Sequence, residues 1–298
     1  MMGEFARRFL FAIVAAPIVL GILLWGGAPL AALLAVAAAI GAWEFFRLAR
    51  CAGNQPLDDI GIGIAGLTPL AVHARYLGLY ATRPVDVVVV VLIVCTLILW
   101  MRGSNGQPMA SLGITLLGAL YTGGTLSFAY ALRYHPYAMG GREVEVGGVS
   151  VLIAAGGVLV ALPVLATWAT DIGAYAFGRA FGRRKLMPSV SPGKTVAGAV
   201  GGVAASVVVT WALTWYVLRP VAQLGLTPLG IVTFGVLASV AAQVGDLFES
   251  LLKREARVKD SSSLIPGHGG LLDRVDSLIF VLPVAYLLLG LLLVPAPA

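Results

Sequence analysis

The sequence predicts an all-α, polytopic integral membrane protein with about nine transmembrane helices, its N-terminus in the cytoplasm and its C-terminus outside. Three observations predict it: 59% of the 298 residues are hydrophobic, only 11% are charged, and the mean hydropathy is +0.94. A soluble domain runs nearer ~45–50% apolar and ~25% charged. A soluble chain of this length could not cover so much apolar surface with a polar shell. Disorder is excluded, because it needs low hydrophobicity and high charge. The net charge of +6 reads here as loop bias plus an anionic partner, not as nucleic-acid binding. Cys51 and Cys95 form no disulfide framework or zinc spacing.

A helix needs about 20 mostly apolar residues to cross the hydrocarbon core. Nine stretches meet that need: Phe9–Leu24, Leu30–Phe46, Ile60–Tyr80, Val85–Trp100, Ser111–Leu132, Ser150–Thr170, Ala197–Leu218, Ile231–Leu252 and Asp276–Val294. They are read as helices, since lipid leaves the backbone no outside partner. Trp25, Trp43 and Trp100 fall at interface depth. Arg7 and Arg8 ahead of an apolar run resemble the opening of a signal peptide. The run continues through Gly26–Gly27–Ala28 into another span, so it is read as the first helix. With the N-terminus inside and nine spans alternating, cytoplasmic segments hold 15 of the 20 basic residues and the far side holds Arg75, Arg83, Arg133, Arg142 and Arg219. Positive loops resist translocation, so this bias sets the orientation. No linker or repeat divides the chain, and residues 1–298 are read as a single membrane domain.

Charge is concentrated. Eleven charged residues lie between Asp246 and Asp276 and six between Asp171 and Lys194, half of the chain's total. At the end of the eighth span, helical spacing puts Asp246, Glu249, Ser250, Lys253 and Arg257 on one face. Asp246 lies deepest, and an ionised group at mid-bilayer costs roughly 2.5–3.5 kcal/mol. A water-filled cavity or a bound cation would offset that cost. Ser261–Gly270 then reads as a loop, because Ser, Pro and Gly dominate it. Its glycines Gly267, Gly269 and Gly270 let backbone N–H groups converge on an anion, and His268 stands among them. Asp273 opens the last helix, with Asp276 one turn on.

Asp246 and Asp273 thus sit on helices joined by one cytoplasmic loop. Oxygen ligands on rigid elements with room for water suit Mg²⁺. Lys253, Arg254, Lys259, His268 and Arg274 supply what a polyphosphate needs. Together they point to metal-assisted phosphoryl or nucleotidyl transfer at the membrane surface. Upstream, Asp171 ends the sixth span, and Ser191-Pro192-Gly193-Lys194-Thr195 reads as a glycine-containing turn before a helix, able to hold phosphate. It is not a P-loop, since Pro188 stands where that pattern needs glycine. Arg183, Arg184 and Lys185 serve equally as a positive-inside anchor.

The run Ser250-x-x-Lys253-Arg254-x4-Lys259-Asp260-x5-Pro266-x-His268-Gly269-Gly270-x-x-Asp273-Arg274-x-Asp276 resembles the signature of the phosphatidate cytidylyltransferase (CDP-diacylglycerol synthase) family, without departure. Asp171-x-Gly173-Ala174-Tyr175-x-x-Gly178-Arg179 and Ser191-Pro192-x-Lys194-Thr195 look like the same family's cytoplasmic segments. The resemblance covers roughly the C-terminal half, which makes 150–298 the catalytic part, while residues 1–149 carry no matching motif. It implies transfer of CMP from CTP to phosphatidate, giving CDP-diacylglycerol and pyrophosphate, in a cell (inner) membrane with the site facing the cytoplasm. It implies Mg²⁺ at Asp246 and Asp273, and a second cation such as K⁺. Lys253, Arg254, Lys259, His268 and Arg274 are then catalytic phosphate-holding groups. Lys194, Ser191, Thr195, Ser250, Gly269 and Gly270 bind substrate phosphate, and Asp171, Asp260 and Asp276 act as secondary ligands or orienters. A homodimer is compatible with the resemblance. The rivals are a transporter of an anionic solute, a lipid-binding membrane scaffold, and a cytidylyltransferase acting on a prenyl-ether lipid phosphate.

Overall fold

The computed structural model describes residues 16–80, 84–102, 107–138, 140–146, 149–265 and 269–296. It is 78% helical. In chain order the helices are α1 (Ala16–Trp25), α2 (Gly27–Cys51), α3 (Asp58–Tyr76), α4 (Pro84–Arg102) and α5 (Pro108–Arg133). They continue with α6 (Ala155–Phe181), α7 (Val196–Ala222), α8 (Pro228–Glu255) and α9 (Leu272–Leu292). Among the described residues, α2, α5, α6, α7, α8 and α9 are long and apolar enough to cross a membrane. The first, third and fourth expected spans are not among these six. α3 carries Asp58 and Asp59 in its first turn and His73 and Arg75 in its last, and of α1 and α4 the apolar stretches among the described residues are Ala16–Trp25 and Val89–Met101. Residues 9–15 of the first expected span lie outside the described residues.

Among the described residues, three short antiparallel ribbons interrupt the helices: β1 (Gly141–Val146) with β2 (Val149–Ala154), β3 (Lys185–Met187) with β4 (Ser191–Thr195), and β5 (Leu224–Leu226) with β6 (Leu293–Pro295). Two of them correct the sequence reading. Ser150–Ala154 is strand, not the start of the sixth span, because its β-branched run Val-Ser-Val-Leu-Ile fits a pleated ladder. That ladder registers Gly141 with Ala154 and Val146 with Val149. Ser191–Thr195 is an extended strand and not a turn, with Thr195 opposite Lys185. α6 also runs ten residues past Asp171, to Phe181, so this acid lies within a helix and not at its end. α8 stops at Glu255 and Arg257 turns left-handed (φ 55°), which removes Arg257 from the polar helix face.

The chain divides into two compact units. The first comprises Met1–Gly26, Phe128–Leu251 and Val275–Ala298; the second comprises Gly27–Ser127 and Leu252–Arg274. In the first unit a small-residue seam brings α6 against α7. A Cβ on Gly202 would stand 2.9 Å from the Thr170 carbonyl, and one on Gly198 would stand 2.7 Å from the Ala174 carbonyl. Without a strong solvent-driven force in lipid, such close backbone contact is what holds helices together. Hydroxyls in the spans are satisfied locally: Thr167 donates to the Pro163 carbonyl and Thr170 to the Ala166 carbonyl. In the second unit the fully buried Phe46 ring occupies the space left free by Gly61 and Gly118.

Gly202→Leu is expected to overpack the α6–α7 seam and cost about 1–3 kcal/mol, read as a lowered unfolding midpoint of the detergent-solubilised protein. Gly113→Ala, whose added Cβ meets nothing within 4 Å, is the control and should leave the midpoint unchanged or slightly raised.

Candidate active site

The first unit contains a cleft of about 520 Å³. α6 supplies Asp171, Tyr175 and Arg179 to it, β3 supplies Lys185, β4 supplies Lys194 and Thr195, and α8 supplies Gln243 and Asp246. The glycine seam explains the convergence. Because α6 and α7 touch backbone to backbone, the β3–β4 ribbon that joins them folds over the end of the seam and delivers Lys194 to α8. Lys194 Nζ lies 2.6 Å from Asp246 Oδ2, with side-chain exposures of 23% and 37%. Ser250 Oγ, one turn along α8, donates to Asp246 Oδ1 at 3.4 Å. The charges of Asp276, Asp246 and Lys194 all act on Asp171. Gln243 donates to the Ala199 carbonyl at 3.2 Å and to Ser239 Oγ at 3.1 Å, tying α8 to the start of α7. Thr195 caps α7 by accepting from the Gly198 N–H at 3.1 Å.

The second unit holds the other motif residues. Lys253, from the last turn of α8, places Nζ 2.7 Å from Asp273 Oδ1, and the two side chains are 13% and 5% exposed. Asp273 Oδ2 accepts from the Ser261 N–H at 3.0 Å, the Ser261 hydroxyl at 2.9 Å and the Gly270 N–H at 2.8 Å. Asp273 therefore fixes the loop that precedes its own helix. Gly269 takes a positive φ of 79° there, which glycine adopts freely.

The structure thus gathers Asp171, Lys194, Thr195, Asp246 and Asp276 in one unit, with Ser250 on Asp246. It gathers Lys253, Asp273, Gly269 and Gly270 in the other. Ser191 is half-buried in β4, while Arg254, Lys259, Asp260 and Arg274 are exposed. His268 lies outside the described residues. Two residues absent from the sequence reading also enter. Glu44 on α2 is fully buried and accepts hydrogen bonds from the Ser261–Leu272 segment. Gln243 lines the cleft one turn before Asp246. The signal for Glu44 was present: it is the lone acid in an apolar stretch, and ionisable groups in such stretches mark functional positions.

Asp246 has the chemistry of a Mg²⁺ ligand: a hard oxygen donor, partly exposed, already facing one cation. Asp273 offers the same donor type, but its oxygens already face the Lys253 ammonium, the Ser261 and Gly270 N–H groups, and the Ser261 hydroxyl that it shares with Glu44. A metal ion there would take the place of the Lys253 ammonium. Among the described residues, no three carboxylate, histidine or cysteine groups form a ready metal cluster. Mg²⁺ commonly uses only one or two carboxylates and completes its shell with water and phosphate, so the donor set fits that ion.

Fold and cleft together define a multi-pass membrane protein with a cation-lined polar site. The cytidylyltransferase family model matches residues 6–292, and the chain belongs to that family. A Synechocystis phosphatidate cytidylyltransferase is 30% identical over 96% of this chain and 97% of its own length. Phosphatidate cytidylyltransferases of Bacillus subtilis and Pseudomonas aeruginosa are 43% and 51% identical over 42% and 44% of this chain. Those two alignments span 44% and 46% of the relatives' lengths, less than half of each protein.

Thr195→Ala removes the α7 cap and is expected to cost about 1 kcal/mol by thermal unfolding in detergent, whereas Thr195→Ser keeps an acceptor oxygen and should retain most of that stability. Equal midpoints for the alanine variant and wild type would contradict the capping role.

Proposed function

We propose that the protein is a Mg²⁺-dependent CTP:phosphatidate cytidylyltransferase of the cell membrane, with its site facing the cytoplasm. The observation that carries the proposal is the continuity of a polar and an apolar cavity in the first unit. An apolar groove of about 370 Å³ is lined by Val200, Val203, Val240, Val244 and Leu247, and it shares Leu186, Ala199 and Gln243 with the charged cleft. Val200, Val240 and Val244 are exposed, so the groove opens on the outer surface of α7 and α8. A ligand that fills both cavities is an amphiphile with an anionic head, as a lipid phosphate is. The family and the names of the relatives supply CTP as the second substrate.

The reaction needs little from the protein in covalent terms. A phosphatidate phosphate oxygen attacks the α-phosphorus of CTP, the new P–O–P link forms, and the bond to the β-phosphate breaks to release pyrophosphate. The nucleophile is already an anion, so no strong general base is required. The barrier is the approach of like charges, and it falls when cations are fixed around them and the atoms are held in line. Lys194, Arg179 and Lys185 line the cleft at the head of the groove and hold phosphate there. Lys253 is the corresponding cation of the second unit, with Arg254, Lys259 and Arg274 exposed near it in the chain. Asp246 and Asp273 are the residues assigned to Mg²⁺, which when bound neutralises triphosphate charge. The cytoplasmic bias of the basic residues in the sequence supports the cytoplasmic facing.

Purified protein given CTP, phosphatidate and Mg²⁺ is expected to release pyrophosphate and form the CDP-lipid. Asp246→Asn and Asp273→Asn should each abolish this turnover without reducing membrane insertion; full turnover in both would dismiss the metal assignment. Val203→Trp, which obstructs the groove, should raise KM for long-chain phosphatidate about tenfold, since each lost buried methylene is worth about 0.8 kcal/mol. KM for CTP and turnover of a short-chain phosphatidate should stay near wild type. Equal loss on both lipids would contradict the groove's role. Uptake of an anion into vesicles without chemical conversion would favour a transporter instead.

A further inference from the structure

Helix α2 carries no motif of the family signature, yet it supplies the most deeply buried carboxylate of its unit. Glu44 is 0% exposed, and four donors surround it. Ser262 Oγ and the Leu271 N–H donate to Oε1 at 2.5 and 3.0 Å. Ser261 Oγ and the Leu272 N–H reach Oε2 at 3.1 and 2.5 Å. Leu271 and Leu272 stand at the start of α9, where backbone N–H groups lack intrahelical partners and the helix dipole is positive. One turn along α2, Arg47 Nη1 donates to the Ser261 carbonyl at 2.6 Å. The carboxylate thus takes the loop's N–H and O–H groups, and the guanidinium takes its carbonyl.

Ser261 links this clamp to the motif residues. Its hydroxyl lies between Glu44 Oε2 and Asp273 Oδ2, at 3.1 and 2.9 Å, and it donates to one of them at a time. Its N–H donates to Asp273 Oδ2, and Asp273 Oδ1 faces the Lys253 ammonium. Gly270 closes the arrangement: a Cβ there would run into the Ser261 hydroxyl and the Glu44 carboxylate, so only glycine fits. We infer that Glu44 and Arg47 are positioning residues, which hold Ser261, Ser262, Leu271 and Leu272 from α2 and thereby keep the Lys253–Asp273 pair in a single geometry. What that pair does chemically rests on the cytidylyltransferase proposal. A displacement of about 1 Å at a reacting group can cost about 10²-fold in rate, so a clamp this far from any motif still sets turnover.

The test compares the full-length wild type with Glu44→Gln, Ser261→Ala and the double variant, by amide hydrogen exchange and by steady-state kinetics. Gln keeps the volume of Glu44 but turns an NH₂ group toward donors. In Glu44→Gln, the Leu271 and Leu272 amides should exchange at least about tenfold faster, as expected for loss of a hydrogen bond to a charged acceptor. Its kcat should fall by about 10²-fold, with KM for CTP within about threefold of wild type, while α6 and α7 exchange as before. The double variant should be no slower than the slower single one, because both loosen the same hold on Asp273. Unchanged exchange at Leu271 and Leu272, a full kcat, or faster exchange throughout the chain would overturn the inference. If Glu44→Gln fails to fold, Ser261→Ala loses only a hydroxyl and carries the same readouts. If the wild type forms no CDP-lipid, the cytidylyltransferase proposal fails, and the exchange at Leu271 and Leu272 still decides the clamp.

Discussion

A carboxylate drawn partly or wholly out of water finds its neutralising partners within the protein, and that constraint organises both polar centres of this chain. Asp246 finds Lys194, Asp273 finds Lys253 and the Ser261 and Gly270 N–H groups, Glu44 finds the Ser262 hydroxyl and two helix-terminal amides, and the Ser261 hydroxyl serves Asp273 or Glu44 in turn. Ion pairs of this kind add little net stability, since desolvation offsets much of their attraction. Their consequence is geometric. Each satisfied carboxylate fixes the segment that supplies its donors, so a glycine-rich loop and a two-stranded ribbon acquire defined positions.

The same pairs suit a site for polyphosphate. Lys194 and Lys253 each carry a positive charge whose present partner is a carboxylate that Mg²⁺ also favours. Were Mg²⁺ bound, the carboxylate would hold the ion and the lysine would face a phosphate group, so neither half of the pair would be left uncompensated. The apolar groove beside the first cleft would suit an amphiphile, since its valine-lined wall ends at Leu186, Ala199 and Gln243, which also line the cation-bearing cleft. Gln243 suits that boundary because its amide is polar without charge and is held by the Ala199 carbonyl and Ser239.

Much of this was legible in the sequence. Composition alone gave the helical membrane class, and the charged segments around Asp171–Lys194 and Asp246–Asp276 are the ones that build the two polar centres. The ribbons were not legible, because an apolar, β-branched run such as Val149–Ala154 has neither the length nor the periodicity to separate strand from span. Asp171 was read as a helix end because polarity rises there, but the glycine seam with α7 carries α6 on to Phe181. Arg257 lost its place on the helix face because a left-handed residue ends α8. Glu44 was visible as a lone acid, but its partners lie more than two hundred positions away. No local pattern encodes such a contact.

The most direct measurement uses CTP labelled either at the α- or at the γ-phosphorus, incubated with the purified protein and phosphatidate, followed by extraction of the lipid. The account requires the α-label to appear in the lipid and the γ-label to remain in water as pyrophosphate. A γ-labelled lipid, or a lipid carrying neither label, would contradict it.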